Sequence, residues 1–331
     1  MMKNKLNIFV TGGAGYIGSH ACKLLSAAGY NPIAIDSLVT GWREAVKFGP
    51  FEQIDLCDKK RLDLLFKKYK PEGVFHFAGL SQVGESVREP GKYWRNNVTG
   101  TLSLVEACVE NQCFDFVFSS TCAIYGETSG ALISENSPQK PTNAYSASKR
   151  ASEEILVHFS EISNLNYVVF RYFNVAGADP DGELGEFHRP ETHLIPSILD
   201  AAMGKREAIT IFGTDYDTPD GTCIRDYVHV IDLVEAHLLG FEMLKETGLK
   251  RIYNLGTGIG YSVREVIDAV KLVTGLKVPE ITGVRREGDC ARLVSCSQLV
   301  YDELGWAPKK SEILKIIKDA WLWHSNSGYS F

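Results

Sequence analysis

The stretch KLNIFVTGGAGYIG, residues 5–18, decides how this chain folds. Residues 5–11 form a short apolar run of strand type. They lead into Gly12, Gly15 and Gly18, and from there Ile17, Ala21, Leu24, Leu25 and Ala28 recur at helical spacing until Gly29. Strand, G-x-x-G-x-x-G turn and helix in that order are a variant of the dinucleotide fingerprint. The first glycine permits a tight turn, the second lets backbone approach a pyrophosphate, and the third lets helix pack on strand. The helix start, at Tyr16 and Ile17, then offers unpaired N–H groups to the anion. Asp36 closes the next strand. A carboxylate there accepts ribose hydroxyls and repels a 2′-phosphate, which favours NAD over NADP.

Outward from this turn the alternation continues. Strands are expected at 32–35, 51–54, 73–77, 114–119 and 167–172, with helices at 59–69, 90–110 and 145–161. Continuous apolar strands separated by helices predict a doubly wound α/β fold, a parallel sheet covered on both faces. Beyond Asn174 the rhythm breaks. Residues 178–190 and 213–221 are rich in Gly, Pro and acids and read as long loops. Helices are expected at 193–203, 230–244, 263–274, 297–304 and 313–325, and short strands at 209–212 and 252–255. The expected division is a Rossmann domain over 1–174, to which some later segments return. A smaller, irregular α+β lobe over 175–331 supplies a second ligand site.

Composition bounds the function. The 331 residues suffice for two units at about 150 residues each. Lys+Arg 35 against Asp+Glu 41 gives a net charge of −6, which argues against a nucleic-acid binder. No apolar run approaches about 18 residues, so no membrane span is expected, and residues 6–10 are too short for a signal h-region. The eight cysteines include no Cys-x-x-Cys pair, which reads as free thiols of a reducing cytoplasm with no metal site.

Tyr145 and Lys149 lie four residues apart, on one face of an expected helix. A free tyrosine, with a pKa of about 10, is a poor base at neutral pH. A neighbouring ammonium and the charge of an oxidised nicotinamide would favour phenolate, each tenfold needing about 1.4 kcal/mol. The strand at 114–119 delivers Ser119, Ser120 and Thr121 to the crevice where open α/β sheets bind ligands. Thr121 can share a hydrogen bond with a reacting hydroxyl beside Tyr145.

Residues 11–20 (TGGAGYIGSH), 77–79 (FAG), 96–100 (NNVTG), 119–121 (SST), Tyr145-x-x-x-Lys149 and 171–174 (RYFN) resemble the extended short-chain dehydrogenase/reductases. Residues 211–216 (IFGTDY), 220–229 (DGTCIRDYVH), 253–256 (YNLG) and 285–289 (RREGD) resemble their UDP-glucose 4-epimerase branch, and the likeness spans about residues 7–323. The resemblance implies an NAD-dependent interconversion of UDP-glucose and UDP-galactose. In it Tyr145 takes the 4-hydroxyl proton, hydride passes to tightly held NAD⁺, the 4-keto sugar turns over, and hydride returns to its other face. It implies that Lys149 binds the nicotinamide ribose and lowers the Tyr145 pKa, and that Thr121 bridges to the sugar. It implies further cofactor contacts from Asp55, Leu56, Phe77, Ala78, Gly79, Asn97 and Phe173. It also implies a homodimer, paired through helices near 94–110 and 146–161.

The second lobe offers chemistry suited to a UDP group. Arg225 and Arg286 carry planar cationic forks for phosphate oxygens, Asp289 can accept from ribose hydroxyls, and Asn174 can donate to a phosphate or sugar oxygen. Phe212 could wall a uracil pocket. Leu194 matches a uridine-side position of the family and equally suits a helix core. Ser81 stands where relatives often carry a long side chain, and Thr192-His193 replaces a paired Asn, so neither is assigned a role. Leu293 is of intermediate size and leaves the preferred sugar open among hexose, N-acetylhexosamine and pentose. Cys122-Ala123 follows Thr121 in place of the acidic pair of a sugar-nucleotide dehydratase, which argues against dehydration. The alternatives are a UDP-xylose/UDP-arabinose or UDP-N-acetylhexosamine 4-epimerase and, from another class, a nucleotide-sensing regulator. A regulator needs no base, and Thr121, Tyr145 and Lys149 are all present.

Overall fold

A computed structural model describes residues 5–127, 132–286, 288–326 and 329. Its strands are β1 (Asn7–Thr11), β2 (Asn31–Asp36), β3 (Phe51–Gln53), β4 (Gly73–His76), β5 (Asp115–Thr121), β6 (Asn166–Tyr172), β7 (Asn174–Ala176), β8 (Ile209–Phe212), β9 (Ile224–His229), β10 (Lys250–Leu255), β11 (Gly260–Ser262), β12 (Glu280–Gly283) and β13 (Arg292–Leu293). The helices are α1 (Tyr16–Ala27), α2 (Lys59–Tyr69), α3 (Val83–Arg88), α4 (Pro90–Tyr93), α5 (Gly100–Glu110), α6 (Ala144–Ile162), α7 (Leu194–Ala202), α8 (Val230–Thr247), α9 (Val263–Thr274), α10 (Gln298–Leu304) and α11 (Ile313–Ser325).

The chain divides into two compact units. Residues 1–124, 141–171 and 234–253 form the first. Its seven-stranded sheet has the order β10-β6-β5-β4-β1-β2-β3, and β1–β2, β1–β4, β2–β3 and β4–β5 all pair in parallel. From β1 the chain winds outward through β2 and β3, then returns to β4 on the other side of β1. Strand order therefore reverses between β1 and β4, the kind of position where such sheets bind ligands. Apolar strand residues bury one face of the sheet against helices, with Phe9, Phe66, Val74, Leu104, Phe116 and Leu156 in one core. This is the doubly wound fold expected.

Residues 125–140, 172–233 and 254–331 form the second unit. Its central strand, β9, pairs antiparallel with β11 and parallel with β13 and β7, while β8 and β12 form a separate parallel pair. Helices α7, α9 and α11 pack together around Ile198, Leu199, Val266, Val270, Ile316 and Ile317.

Two sequence expectations need correction. Residues 90–110 are not one α-helix, because a π-helical turn, Trp94–Thr99, separates α4 from α5. Strand β9 is also missing from the expectation, since Arg225, Asp226 and His229 interrupt its apolar run. Asp226 is nevertheless fully buried, accepting hydrogen bonds from the backbone N–H groups of Thr257, Gly258 and Ser295. Among the described residues no helix is long and apolar enough to cross a membrane.

Candidate active site

The turn between β1 and α1 shows which glycines the fold itself demands. Gly12 has φ +72°, donates its N–H to the Ile35 carbonyl at 2.8 Å, and a Cβ there would lie 2.7 Å from the Ala78 nitrogen. A Cβ on Gly18 would lie 2.1 Å from the Gly12 oxygen. Gly15 differs. Its φ is an ordinary −86° and its Cβ would meet only the Gly12 oxygen, at 3.1 Å, a tight contact but far milder than the clash at Gly18. It caps α1 without a side-chain bond, and Tyr16 and Ile17 then open the helix. Asp36 is fixed in place, its Oδ2 accepting from Ala14 N at 3.1 Å and its Oδ1 from Leu38 N at 2.8 Å. Burial raises its pKa while these N–H groups oppose the rise. The Asp55 carboxylate accepts from Cys57 N at 2.9 Å, and Leu56 lies beside Gly100.

Helix α6 starts on a capping box between Asn143 and Ser146, which fixes the turn carrying Tyr145. Tyr145 is half-buried, and the Thr121 hydroxyl lies near enough to favour its ionised form. Thr121 Oγ1 accepts the Ala123 N–H at 3.1 Å, and its own proton is available to a phenolate oxygen. Loss of solvation pushes the Tyr145 phenol up to about 12, and the Thr121 bond works against that rise. The expected lowering by Lys149 does not contribute to this shift. Lys149, one turn on, is 5% exposed, and its ammonium lies 4.5 Å from the centre of the Phe118 ring. Among the described residues it makes no hydrogen bond. Burial pulls it down to about 8, with the Glu153 carboxylate opposing. Glu153 is itself held by Ser120 and by Arg171, whose Nη2 lies 2.6 Å from its Oε2.

A buried network ties the turn after β4 to this helix. Asn97, within the π-helical turn, accepts from Leu80 N at 2.8 Å and donates to the Leu80 carbonyl and Ser148 Oγ, both at 3.0 Å. Its amide thus links the segment after Phe77, Ala78 and Gly79 to α6. Thr101 donates to the Asn97 carbonyl at 2.6 Å, so it accepts from His76 Nε2–H at 2.9 Å. His76 Nδ1 in turn accepts from the Thr11 hydroxyl at 2.6 Å. Burial first, and the Lys149 charge second, keep His76 neutral.

In the second unit, Arg225 donates through Nη1 to the carbonyls of Ile224 and Cys290, at 2.9 and 2.8 Å, and its Nη2 lies 3.3 Å from Asp289 Oδ1. Arg286 lies 4.0 Å over the Phe212 ring, and its neighbour Arg285 stacks on Tyr216 and bonds Asp215. The structure therefore brings together Arg225 with Asp289, and Phe212 with Arg286. Leu194 opens α7 and packs at the edge of the helical core. Asn174 sits on β7 opposite Tyr227, Leu293 pairs with Arg225, and buried Phe173 donates its N–H to Leu255. Asn143 and Gly13 escape the sequence reading. The first is visible as a capping residue ahead of an apolar helix, and the second only through Ala34, whose Cβ would lie 2.7 Å from its own.

The chain belongs to the NAD dependent epimerase/dehydratase family, whose model matches residues 8–256. Among individual proteins it is 46% identical to the UDP-glucose 4-epimerase of Rhizobium meliloti, over 96% of this chain and 97% of that one. Its structure is similar to that of UDP-glucose 4-epimerase from Brucella ovis in complex with NAD, with TM-score 0.94, 46% identity and 98% of each chain covered. It is also similar to that of UDP-glucose 4-epimerase from Bifidobacterium longum with NAD+ and UDP, with TM-score 0.92, 33% identity and 98% and 100% of the chains covered.

Proposed function

We propose that this chain interconverts UDP-glucose and UDP-galactose by removing and returning hydrogen at sugar C4, with NAD as its resident cofactor. One observation carries the reading. A tyrosine whose ionised form is favoured by the neighbouring Thr121 hydroxyl sits one helical turn from a buried ammonium with no hydrogen bond of its own among the described residues. A protein that only sensed nucleotides could use that cation to bind but would have no need of a base one turn before it. The residues present fit a dinucleotide: Gly15 leaves room at the helix start, Asp36 is fixed to accept ribose hydroxyls, and Lys149 has donors to give. NAD supplies reversible hydride acceptance there, so no net redox change results.

Tyr145 takes the proton of the 4-hydroxyl and later gives one back, and Thr121 steadies the phenolate by donating to it. A phenol held at about 12 needs a nearby positive charge to ionise near neutrality, which the oxidised nicotinamide would supply. Asn97 acts on the Leu80 turn and α6 together, holding the cofactor wall in register with Tyr145. In the second unit, Arg225 and Arg286 bind the diphosphate and Asp289 accepts from the uridine ribose. Arg286 frees one face of Phe212 for uracil as it turns to phosphate, and Asn174 donates to a phosphate or sugar oxygen. The names of the relatives support the choice of sugar. We also propose that the chain pairs with a second copy through α5 and α6.

The test is purified protein and UDP-galactose, with no cofactor added. UDP-glucose should accumulate to equilibrium. Tight UDP-galactose binding without conversion, even with NAD supplied, would overturn the reading.

A further inference from the structure

The loop before α7 carries Glu186, His188, Glu191 and His193, a Glu-x-His-x-x-Glu-x-His run within eight residues. The function proposed above gives it no role. One ligand atom from each of the four side chains lies within 4.8 Å of all the others. The Glu186 carboxylate is at the centre, on a residue only 3% exposed. His193 Nδ1 bonds its Oε1, and His188 Nδ1 lies 3.3 Å from the same oxygen and 3.7 Å from Glu191 Oε2. His188 Nδ1 is shielded from solvent and still makes no hydrogen bond, so it is near both carboxylates without being aimed at either. A tetrahedral shell with bonds of about 2.0–2.1 Å has donor–donor edges of about 3.3 Å, which is the His188–Glu186 separation.

The backbone around these side chains is anchored independently of them. Trp323 Nε1 donates to the Glu186 carbonyl at 2.9 Å, and Arg206 donates to the Glu191 carbonyl at 3.0 Å. Glu191 Oε1 accepts from the N–H groups of Thr192 and His193, at 2.7 and 2.8 Å, which orients its Oε2 toward His188. Such outer contacts preset ligand geometry.

We propose that Glu186, His188, Glu191 and His193 bind one divalent transition-metal ion, with zinc the best match. Two imidazoles and two carboxylates suit a borderline cation. Magnesium and calcium prefer shells made entirely of oxygen. Four protein ligands close the shell, so the ion is structural and fastens the loop to the first turn of α7, where His193 is the N-cap residue.

The test uses full-length protein stripped with chelator, titrated with zinc and, separately, magnesium, then desalted and assayed for metal. One equivalent of zinc should be retained and should raise the unfolding temperature, while magnesium should do neither. His188→Gln should weaken zinc by about tenfold or more, and His188→Gln with His193→Gln should abolish retention while leaving NAD binding intact. Cobalt(II) supplies a readout on the unaltered protein: visible bands of a four-coordinate nitrogen–oxygen site, without thiolate charge-transfer absorption from the eight cysteines. Loss of all zinc on desalting, or thiolate bands, or full retention in the double variant would overturn the site and leave a metal-free imidazole–carboxylate cluster. None of these results bears on epimerase activity.

Discussion

Burial moves Tyr145 and Lys149 in opposite directions, because it disfavours the charged form of each. The phenol rises to about 12 and the ammonium falls to about 8. Tyr145→Phe should cut turnover by about 10²–10⁴-fold and leave NAD retention unchanged. Steady-state rates and the cofactor content of the purified variant check this, and near-normal turnover would remove Tyr145 from the mechanism. Lys149 also bears on stability. Between about 8 and its unfolded value of 10.5, the unfolded lysine keeps a proton that the folded one has lost. Unfolding takes up that proton, so the contribution is unfavourable below pH 8 and is relieved as pH rises, by up to roughly 3 kcal/mol. Urea unfolding at pH 8 and 10 should show the wild type gaining stability relative to Lys149→Met. Parallel curves would mean that Lys149 is not desolvated.

The turn between β1 and α1 separates two kinds of glycine. Gly15→Ala should lose less stability than Gly18→Ala and bind NAD about tenfold or more weakly, since the new methyl makes one tight contact, 3.1 Å from the Gly12 oxygen, at the helix start where a pyrophosphate would sit. Gly18→Ala should lower the unfolding temperature markedly, because its Cβ would lie 2.1 Å from a backbone oxygen. Thermal melts together with NAD titrations distinguish the two, and identical behaviour would refute the division. This turn was legible in the sequence because glycine spacing and helical period are local signals. The bounds of α2, α9 and α11 came out correctly for the same reason. Strand β9 was not legible, because the groups that satisfy Asp226 lie 31 to 69 residues further along the chain. Asn97 could be named but its clamp on Leu80 and Ser148 could not, since both partners arrive through folding. Cysteine spacing does not reveal the run at residues 186–193, which holds no cysteine.

Helices α5 and α6 pack together on the first unit, and large apolar side chains stay exposed close to them: Trp94 at 42% and Ile162 at 83%. Exposed groups of this kind suit an interface. Sedimentation at micromolar concentration should give a dimer, and replacing Trp94 with Glu should shift it toward monomer. A monomer in the wild type would end that proposal. The first unit also draws on three separated stretches, the last being residues 234–253, which carry most of β10, at one edge of its sheet. A ribosome making this chain must therefore release nearly all of the second unit's middle stretch before the first can close. Nascent chains stopped near residue 233 should expose the flank of β6 and call on chaperones, and an N-terminal fragment cut there would be a poor vehicle for studying nucleotide binding.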